Sequence, residues 1–252
     1  MPRLSIITVT YNAERFLERT IQSILACGPQ PELEYLVIDG GSGDGTLEIV
    51  KNHKSHISRW ISEPDRGLYD AMNKGLAMAS GDFVWFLNAG DEVYDATVIP
   101  ALLHAIDTQQ ADVYYSDALF VEDGGRVVGL RSKVTPHTLP RHLTWRDMAL
   151  GMKVCHQAFI ARRSIAPTYP VDNLSADIDW EIRCLKAARK IVFLEFILCR
   201  YLTGGLSVQR HRQSLMDRFK VLADHFGYAA TVWNHGRILL RAALFRINTP
   251  NE

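Results

Sequence analysis

The chain has no surplus of either charge. Lys+Arg and Asp+Glu both number 28 in its 252 residues, so the formal net charge is zero. A general nucleic-acid binder shows a basic excess, and that class is set aside. Long apolar runs are also missing: no stretch reaches the roughly 18 residues that a membrane-crossing helix needs. The short run after Met1-Pro2-Arg3 is broken at Asn12, Glu14 and Arg15, too soon for a signal peptide. Cysteine is scarce and scattered. Cys27, Cys155, Cys184 and Cys199 form no Cys-x-x-Cys pair and no zinc spacing. They read as reduced thiols of a cytoplasmic protein. Internal repeats and low-complexity segments are absent as well.

What is present suits a globular protein with a real core: hydrophobic residues make up 47% and charged residues 22%. The length allows one large α/β domain, or one such domain with a C-terminal extension. Leu4 to Thr10 is a β-branched run without helical period and predicts a buried strand. Asn12 is placed to cap a helix over residues 13–25, whose Phe16, Leu17, Ile21, Ile24 and Leu25 share one face, and Gly28-Pro29 ends it. Further strands are expected near residues 34–38, 60–63, 82–87 and 111–116. Helices are expected near 47–53, 69–78 and 98–108. This alternation predicts an open, mainly parallel, Rossmann-like sheet flanked by helices. Beyond it, 121–133 reads as a hairpin turning on Glu122-Asp123-Gly124-Gly125, 134–150 as loop, and 155–161 as a strand. Residues 177–188 read as a helix, 191–201 as a strand, and the stretch from Gln213 to near Ile247 as helical.

Chemistry gathers at the strand ends. Thr10, Tyr11 and Asn12 close the first strand, Asp39 the second, and Asn88-Ala89-Gly90-Asp91 the fourth. The crevice outside the carboxyl ends of an open α/β sheet is where ligands bind. An aromatic such as Tyr11 can stack on a base, and Asp39 can accept from a pyrimidine N–H or a ribose hydroxyl. Asp91 is a candidate ligand for a hard cation that would neutralise a diphosphate. The turn Gly40-Gly41-Ser42-Gly43-Asp44-Gly45-Thr46 fits neither the dinucleotide fingerprint nor the P-loop. It reads either as a close backbone approach to a ligand or as a plain strand-to-helix turn.

Three segments together resemble a family 2 glycosyltransferase with the glycosyltransferase-A fold: Ile6–Asn12, the Val37–Thr46 turn, and Asn73-Lys74-Gly75 with Phe86–Asp91. The resemblance covers about residues 3–210. Its Asp65-Arg66-Gly67-Leu68-Tyr69-Asp70-Ala71-Met72-Asn73-Lys74-Gly75 form is similar to the branch found in bacterial exopolysaccharide and O-antigen clusters. It implies that Tyr11 and Asp39 hold the nucleobase, usually uracil, and that Asp65 and Asn73 line the nucleotide-sugar pocket with Arg66 nearby. It also implies Mg²⁺ or Mn²⁺ at Asp91. Here the usual Asp-Ala-Asp-Asp reads Asn88-Ala89-Gly90-Asp91, with Asn88 as a neutral ligand, and Met72 stands where many relatives carry arginine.

The same resemblance places Asp177 at the catalytic aspartate, with Ala176 replacing the usual glutamate. An inverting transfer needs a base for the acceptor hydroxyl. A helix-cap role for Asp177 remains open, and Asp179 is the rival base. His156 and Gln157 are implied on the acceptor side, or His156 is a structural histidine. Thr203–Ser207 with Gln209–Arg212 resembles the loop that closes over the diphosphate, the alternative being a solvated charge run.

The expected domains are a catalytic unit over 1–210, divided into a nucleotide-binding half (1–95) and an acceptor half (96–210), and a helical extension over 211–252. The expected reaction takes a UDP-sugar to a saccharide acceptor carried on a polyprenyl diphosphate at the cytoplasmic face of the membrane. The arginine-dotted apolar stretch 232–247 would lie on that membrane, on the domain, or on a second subunit. Rival readings are a nucleotidyltransferase that makes the nucleotide sugar, and a non-catalytic nucleotide-binding partner subunit. Against the first, the opening strand lacks the glycine-rich basic loop that a triphosphate needs.

Overall fold

Every residue of β1 (Leu4–Thr10) is buried, as expected of a strand covered on both faces. The computed structural model describes residues 3–205 and 210–248. β1 runs parallel to β2 (Leu33–Asp39) from Leu4↔Leu33 to Thr10↔Asp39, and parallel to β4 (Phe83–Phe86) from Leu4↔Phe83 to Ile7↔Phe86. β3 (Arg59–Ser62) forms the edge beyond β2. On the other side β9 (Phe159–Arg162) enters antiparallel between β4 and β6 (Val113–Tyr115), and β10 (Ile191–Phe193) closes the far edge. The order is β10-β6-β9-β4-β1-β2-β3.

The crossovers are α1 (Leu17–Leu25), α2 (Thr46–Asn52), α3 (Leu68–Met78) and α4 (Val98–Gln109). α3 lies directly on the sheet because Gly75 has no side chain. A Cβ there would sit 2.4 Å from Ile7 Cγ2 and 3.2 Å from Ile38 Cγ1. A second sheet, β5-β11-β7-β8, is built from β5 (Glu92–Val93), β7 (Ala118–Val121), β8 (Val127–Leu130) and β11 (Cys199–Leu202). The short α5 (Arg131–Val134) follows β8, a 3₁₀ turn spans Trp145–Leu150, and α6 (Ala176–Ala187) leads to β10. α7 (His211–Phe226) and α8 (Tyr228–Asn248) complete the chain. The sequence-expected terminal helix is thus two, broken at Gly227, whose φ is 85°.

Three local expectations differ in instructive ways. α1 starts at Leu17, not at residue 13, because Asn12 is no helix cap. It takes a left-handed backbone (φ 47°), and its side chain reaches across to the glycine loop. The stretch 155–161 is strand only from Phe159, since His156–Ala158 coils into a 3₁₀ turn. The stretch 191–201 splits into β10 and β11, which belong to different sheets.

Candidate active site

β1, β2 and β3 end in register at Thr10, Asp39 and Ser62. Asp39 is buried, and its carboxylate accepts three hydrogen bonds, one short of its capacity. Ser42 Oγ donates to Oδ1, while Ser62 Oγ (2.6 Å) and the Ser42 N–H (3.1 Å) donate to Oδ2. Asn12 locks the end of β1 to the same turn: its N–H donates to Ser42 Oγ at 2.8 Å, and its Oδ1 accepts the Gly43 N–H at 2.9 Å. Tyr11 is left standing with 64% of its surface exposed. A Cβ on Gly40 would lie 2.4 Å from Asp65 Oδ2 and 3.3 Å from Tyr11 Cδ2, so glycine is what lets those two side chains close over the strand end. Tyr11, Asp39 and Asp65 therefore form one platform, an aromatic face beside carboxylates. Thr10 lies beneath it, and no partner for its buried hydroxyl is found among the described residues. Arg66 turns outward to Asp70 at 2.8 Å. Asn73 clasps the Tyr169 backbone, donating to its carbonyl at 2.9 Å and accepting its N–H at 2.8 Å.

The segment after β4 is pinned by its backbone. The Ala89 N–H donates to the Val9 carbonyl at 3.1 Å, and the Gly90 N–H to Thr20 Oγ1 at 2.9 Å. Gly90 has φ 105°, and a Cβ on it would meet Leu202 Cδ2 at 2.8 Å. Asp91 is buried with Oδ1 accepting the Leu202 N–H at 2.9 Å. Burial pushes its carboxyl up to about 8. The Leu202 N–H and the Arg19 charge oppose that rise, and Glu92 adds to it. Asn88 Oδ1 is buried without a partner.

These groups do not make a site for a resident divalent cation. They comprise one carboxyl that keeps its proton at neutral pH and one amide oxygen. Among the described residues no group of three His, Cys, Asp or Glu is placed to hold a metal. A cation at Asp91 would have to displace the carboxyl proton, and Oδ1 already accepts the Leu202 N–H.

The third group of residues centres on Asp177, in the first turn of α6. Its Oδ1 accepts the Ile178 N–H at 2.9 Å. Burial raises its pKa. The His156 ring and the Ile178 and Tyr69 hydrogen bonds oppose the rise, and Glu181 adds to it. The Tyr69 hydroxyl, in the first turn of α3, lies 3.2 Å from the Leu174 carbonyl. Beneath lies an aromatic floor. Tyr69 stacks on Tyr169 at 5.5 Å between ring centres, and Tyr169 stacks on Trp180 at 5.2 Å. Phe86 and His156 complete it. His156 is only 4% exposed, and its Nε2 lies 3.1 Å from Tyr169 Oη. Burial holds its pKa down at about 4, so the ring is neutral. Gln157 is buried too, accepting the Cys155 thiol at 3.2 Å and offering its carbonyl to Trp85 Nε1. Both therefore support the floor from below.

Asp179 stands apart from Asp177. It pairs with His225 at 2.7 Å and Arg183 at 3.3 Å, and although burial opposes ionisation, these bonds bring its pKa below the ordinary value. α7 holds the approach to α6: Asp217 Oδ2 accepts the Leu174 N–H at 3.1 Å, and Ser175 Oγ donates to the Ser214 carbonyl. Tyr201 on β11 feels both Asp91 and Asp177, which puts the second and third groups near one another. Of the loop read as a diphosphate lid, residues 206–209 lie outside the described residues. A cavity of 470 Å³ bordered by Asp117, Leu130 and Phe193 contains none of these groups.

Sequence reasoning did not single out Tyr69, Tyr169, Trp180, Glu181 or Arg218. The one available signal was the aromatic inside the Gly67-Leu68-Tyr69-Asp70 turn, at the mouth of a strand-end crevice.

Comparison with known proteins bears on this arrangement. The family described as Glycosyl transferase family 2 matches residues 5–168. An uncharacterized glycosyltransferase of Mycobacterium tuberculosis is 29% identical over 230 residues, which is 88% of this chain and 84% of the relative. A PGL/p-HBAD biosynthesis glycosyltransferase of Mycobacterium bovis is 30% identical over 218 residues, 82% of this chain and 79% of the relative. Among solved structures, S. aureus TarS 1-349 in complex with UDP-GlcNAc superposes with a TM-score of 0.72 at 21% identity, covering 95% of this chain and 72% of that one. The mannosyltransferase PcManGT of Pyrobaculum calidifontis, with GDP-Man and Mn²⁺, gives 0.64 at 15% identity, covering 99% and 76%. The fold is that of the glycosyltransferase-A enzymes, and the chain belongs to glycosyl transferase family 2 as a sugar-transferring enzyme.

Proposed function

We propose that this enzyme moves a sugar from a UDP-linked donor to a hydroxyl of a saccharide acceptor, with inversion at the anomeric carbon. The observation that carries the reading is Asp177. Its carboxyl has a raised proton affinity and is joined through Tyr69 and the first turn of α3 to the platform of Tyr11, Asp39 and Asp65. Residues 1–95 hold the nucleotide in this reading, residues 96–210 present the acceptor, and the extension braces α6. Tyr11 offers its face to the base. Asp39 and Asp65 offer oxygens to the uracil N–H and the ribose.

The Asp177 carboxylate takes the proton of the acceptor hydroxyl. That oxygen attacks the anomeric carbon from the face opposite the diphosphate. A new C–O bond forms as the bond to the diphosphate oxygen breaks, and UDP leaves with the electron pair. A base whose pKa is lifted toward the working pH is stronger than an ordinary carboxylate.

The acceptor in this reading is a growing bacterial surface saccharide on a polyprenyl diphosphate. α8 exposes Trp233, Leu240, Leu244 and Ile247, which suits contact with a membrane surface. No helix among the described residues is long and apolar enough to cross one. The test is a thermal-shift titration with UDP and GDP, followed by UDP-release assays with a panel of UDP-sugars, each with Mn²⁺, with Mg²⁺ and with chelator. UDP should raise the melting temperature, and one UDP-sugar should give acceptor-dependent release. Pyrophosphate release from a nucleoside triphosphate and a sugar phosphate would instead identify a nucleotidyltransferase. Failure to bind any nucleotide would favour the partner-subunit reading.

A further inference from the structure

Lys153 and Arg131 are 5% and 6% exposed, yet neither forms an ion pair with a carboxylate among the described residues. Arg131 donates to the carbonyls of Lys153 (2.7 Å) and Met152 (2.8 Å). Arg241 on α8 turns inward. One of its terminal nitrogens lies 3.1 Å from His137 Nδ1 and 3.1 Å from the Leu150 carbonyl, while its Nε is buried without a partner. Arg218 on α7 also has a buried Nε without a partner, and its charge acts on Asp177. His137 stands among all four cations. Burial and their charges hold its pKa down at about 3, so its neutral Nδ1 accepts from Arg241.

The acids facing the group are Asp147 toward Lys153, Asp177 toward Arg218, and Glu181 toward Arg131. None closes to an ion pair with them. Backbone carbonyls explain the fixed ends of Arg131 and Arg241, but they neutralise no charge. Burying like charges without a counter-ion is costly, and Lys153 shows it: burial, with the nearby arginines, lowers its ammonium pKa to about 8. A cluster of this kind is stable when an anion completes it. Three guanidinium groups, with the unpaired Nε of Arg218 and of Arg241, and a lysine point charge suit the tetrahedral oxygens of a phosphate.

We propose that Arg131, Lys153, Arg218 and Arg241 form an anion-binding subsite beside Asp177, which takes a phosphate group carried by the acceptor. The proposal rests on the transferase reading above and deepens it. Its residues come from α5, the 150–153 turn, α7 and α8. No hydrogen bond or ion pair among the described residues joins them to Tyr11, Asp39 or Asp65, where the donor's nucleoside is placed. The subsite also gives the C-terminal extension a task, since Arg218 and Arg241 are its contribution.

The test uses the full chain saturated with UDP, titrated calorimetrically with inorganic pyrophosphate. Pyrophosphate should still bind, and Lys153→Met should weaken it roughly tenfold. That variant should melt no lower than the parent, because a cation crowded by Arg131 and Arg241 and without an ion pair has been removed, so lost binding is separated from lost folding. Arg241→Met provides a second reading and should weaken pyrophosphate while leaving UDP affinity unchanged. Competition between pyrophosphate and UDP would place the anion in the donor's own diphosphate position and overturn the proposal. Equal binding by parent and Lys153→Met would overturn it too. If UDP itself does not bind, the donor reading fails, and the same variants titrated without nucleotide still decide the subsite.

Discussion

At Asp39 both carboxylate oxygens accept hydrogen bonds, from Ser42 and Ser62, whereas at fully buried Glu181 neither oxygen has a partner among the described residues. The contrast runs through the cleft. On the side of β1, β2 and β3, the Asp39 carboxylate and the Asn12 amide oxygen are satisfied locally, the Thr10 hydroxyl being the exception, and the platform is preformed around an exposed Tyr11. On the side of α6, α7 and Lys153, titratable groups are short of partners among the described residues: Glu181 is 3.5 Å from His156 with neither oxygen bonded, Arg218 has a buried Nε without a partner, and Lys153 forms no ion pair. A satisfied polar platform binds with little rearrangement. Groups with displaced proton affinities are where proton transfer and charge recognition are to be sought. In the proposed reading, nucleotide holding falls to the first side and reaction to the second.

α3 joins the two sides, so breaking its seat should damage both. Gly75→Val would drive a side chain into Ile7 and Ile38, costing about 3 kcal/mol or more of stability. UDP affinity and transfer should fall together, read by thermal melting and turnover. An unchanged melting point would show that α3 is not the shared support.

Asp39→Asn tests the satisfied side alone. An amide cannot accept from all three donors, so stability should drop by about 1–3 kcal/mol and UDP affinity by roughly tenfold. Turnover at saturating donor should change far less. A large fall in kcat with unchanged affinity would blur the division.

Asp91→Asn separates a structural carboxyl from a metal ligand. The folded-state pKa of Asp91 lies above its ordinary value, so its contribution to stability is present below about 4 and is lost as pH rises through about 8. The amide still accepts the Leu202 N–H and cannot ionise. The variant should match the parent near pH 4 and exceed it by several kcal/mol, up to about 5, at pH 8. Loss of Mn²⁺-dependent activity in a stable variant would restore the metal role.

The smallest effect is expected at Asp179. Its pairing with His225 and Arg183 is structural, so Asp179→Asn should cost about 1 kcal/mol and leave transfer within roughly threefold. A collapse of turnover there would return it to contention as the base.

The satisfied side was also the legible one. Tyr11 and Asp39 sit at the ends of strands whose β-branched runs announce themselves, and the intervening turn is contiguous in sequence. The other side is assembled from distant segments. Tyr69 meets Tyr169, and Arg241 meets the Leu150 carbonyl, through packing that no local period records. Asn12 resembled a helix cap because its neighbours are helical in pattern, but its true partner is Gly43 across the crevice. The 191–201 run concealed a change of sheet, since apolar residues on either side of Glu195-Phe196 give no turn signal. Asp91 was recognisable as special. Its tie to Leu202, far along the chain, shows why it is buried.

The most direct measurement compares UDP affinity and transfer rate in Asp177→Asn. The account predicts affinity within about twofold of the parent and a melting point no lower, with transfer reduced on the order of a thousandfold. Near-normal transfer by the folded variant would contradict it.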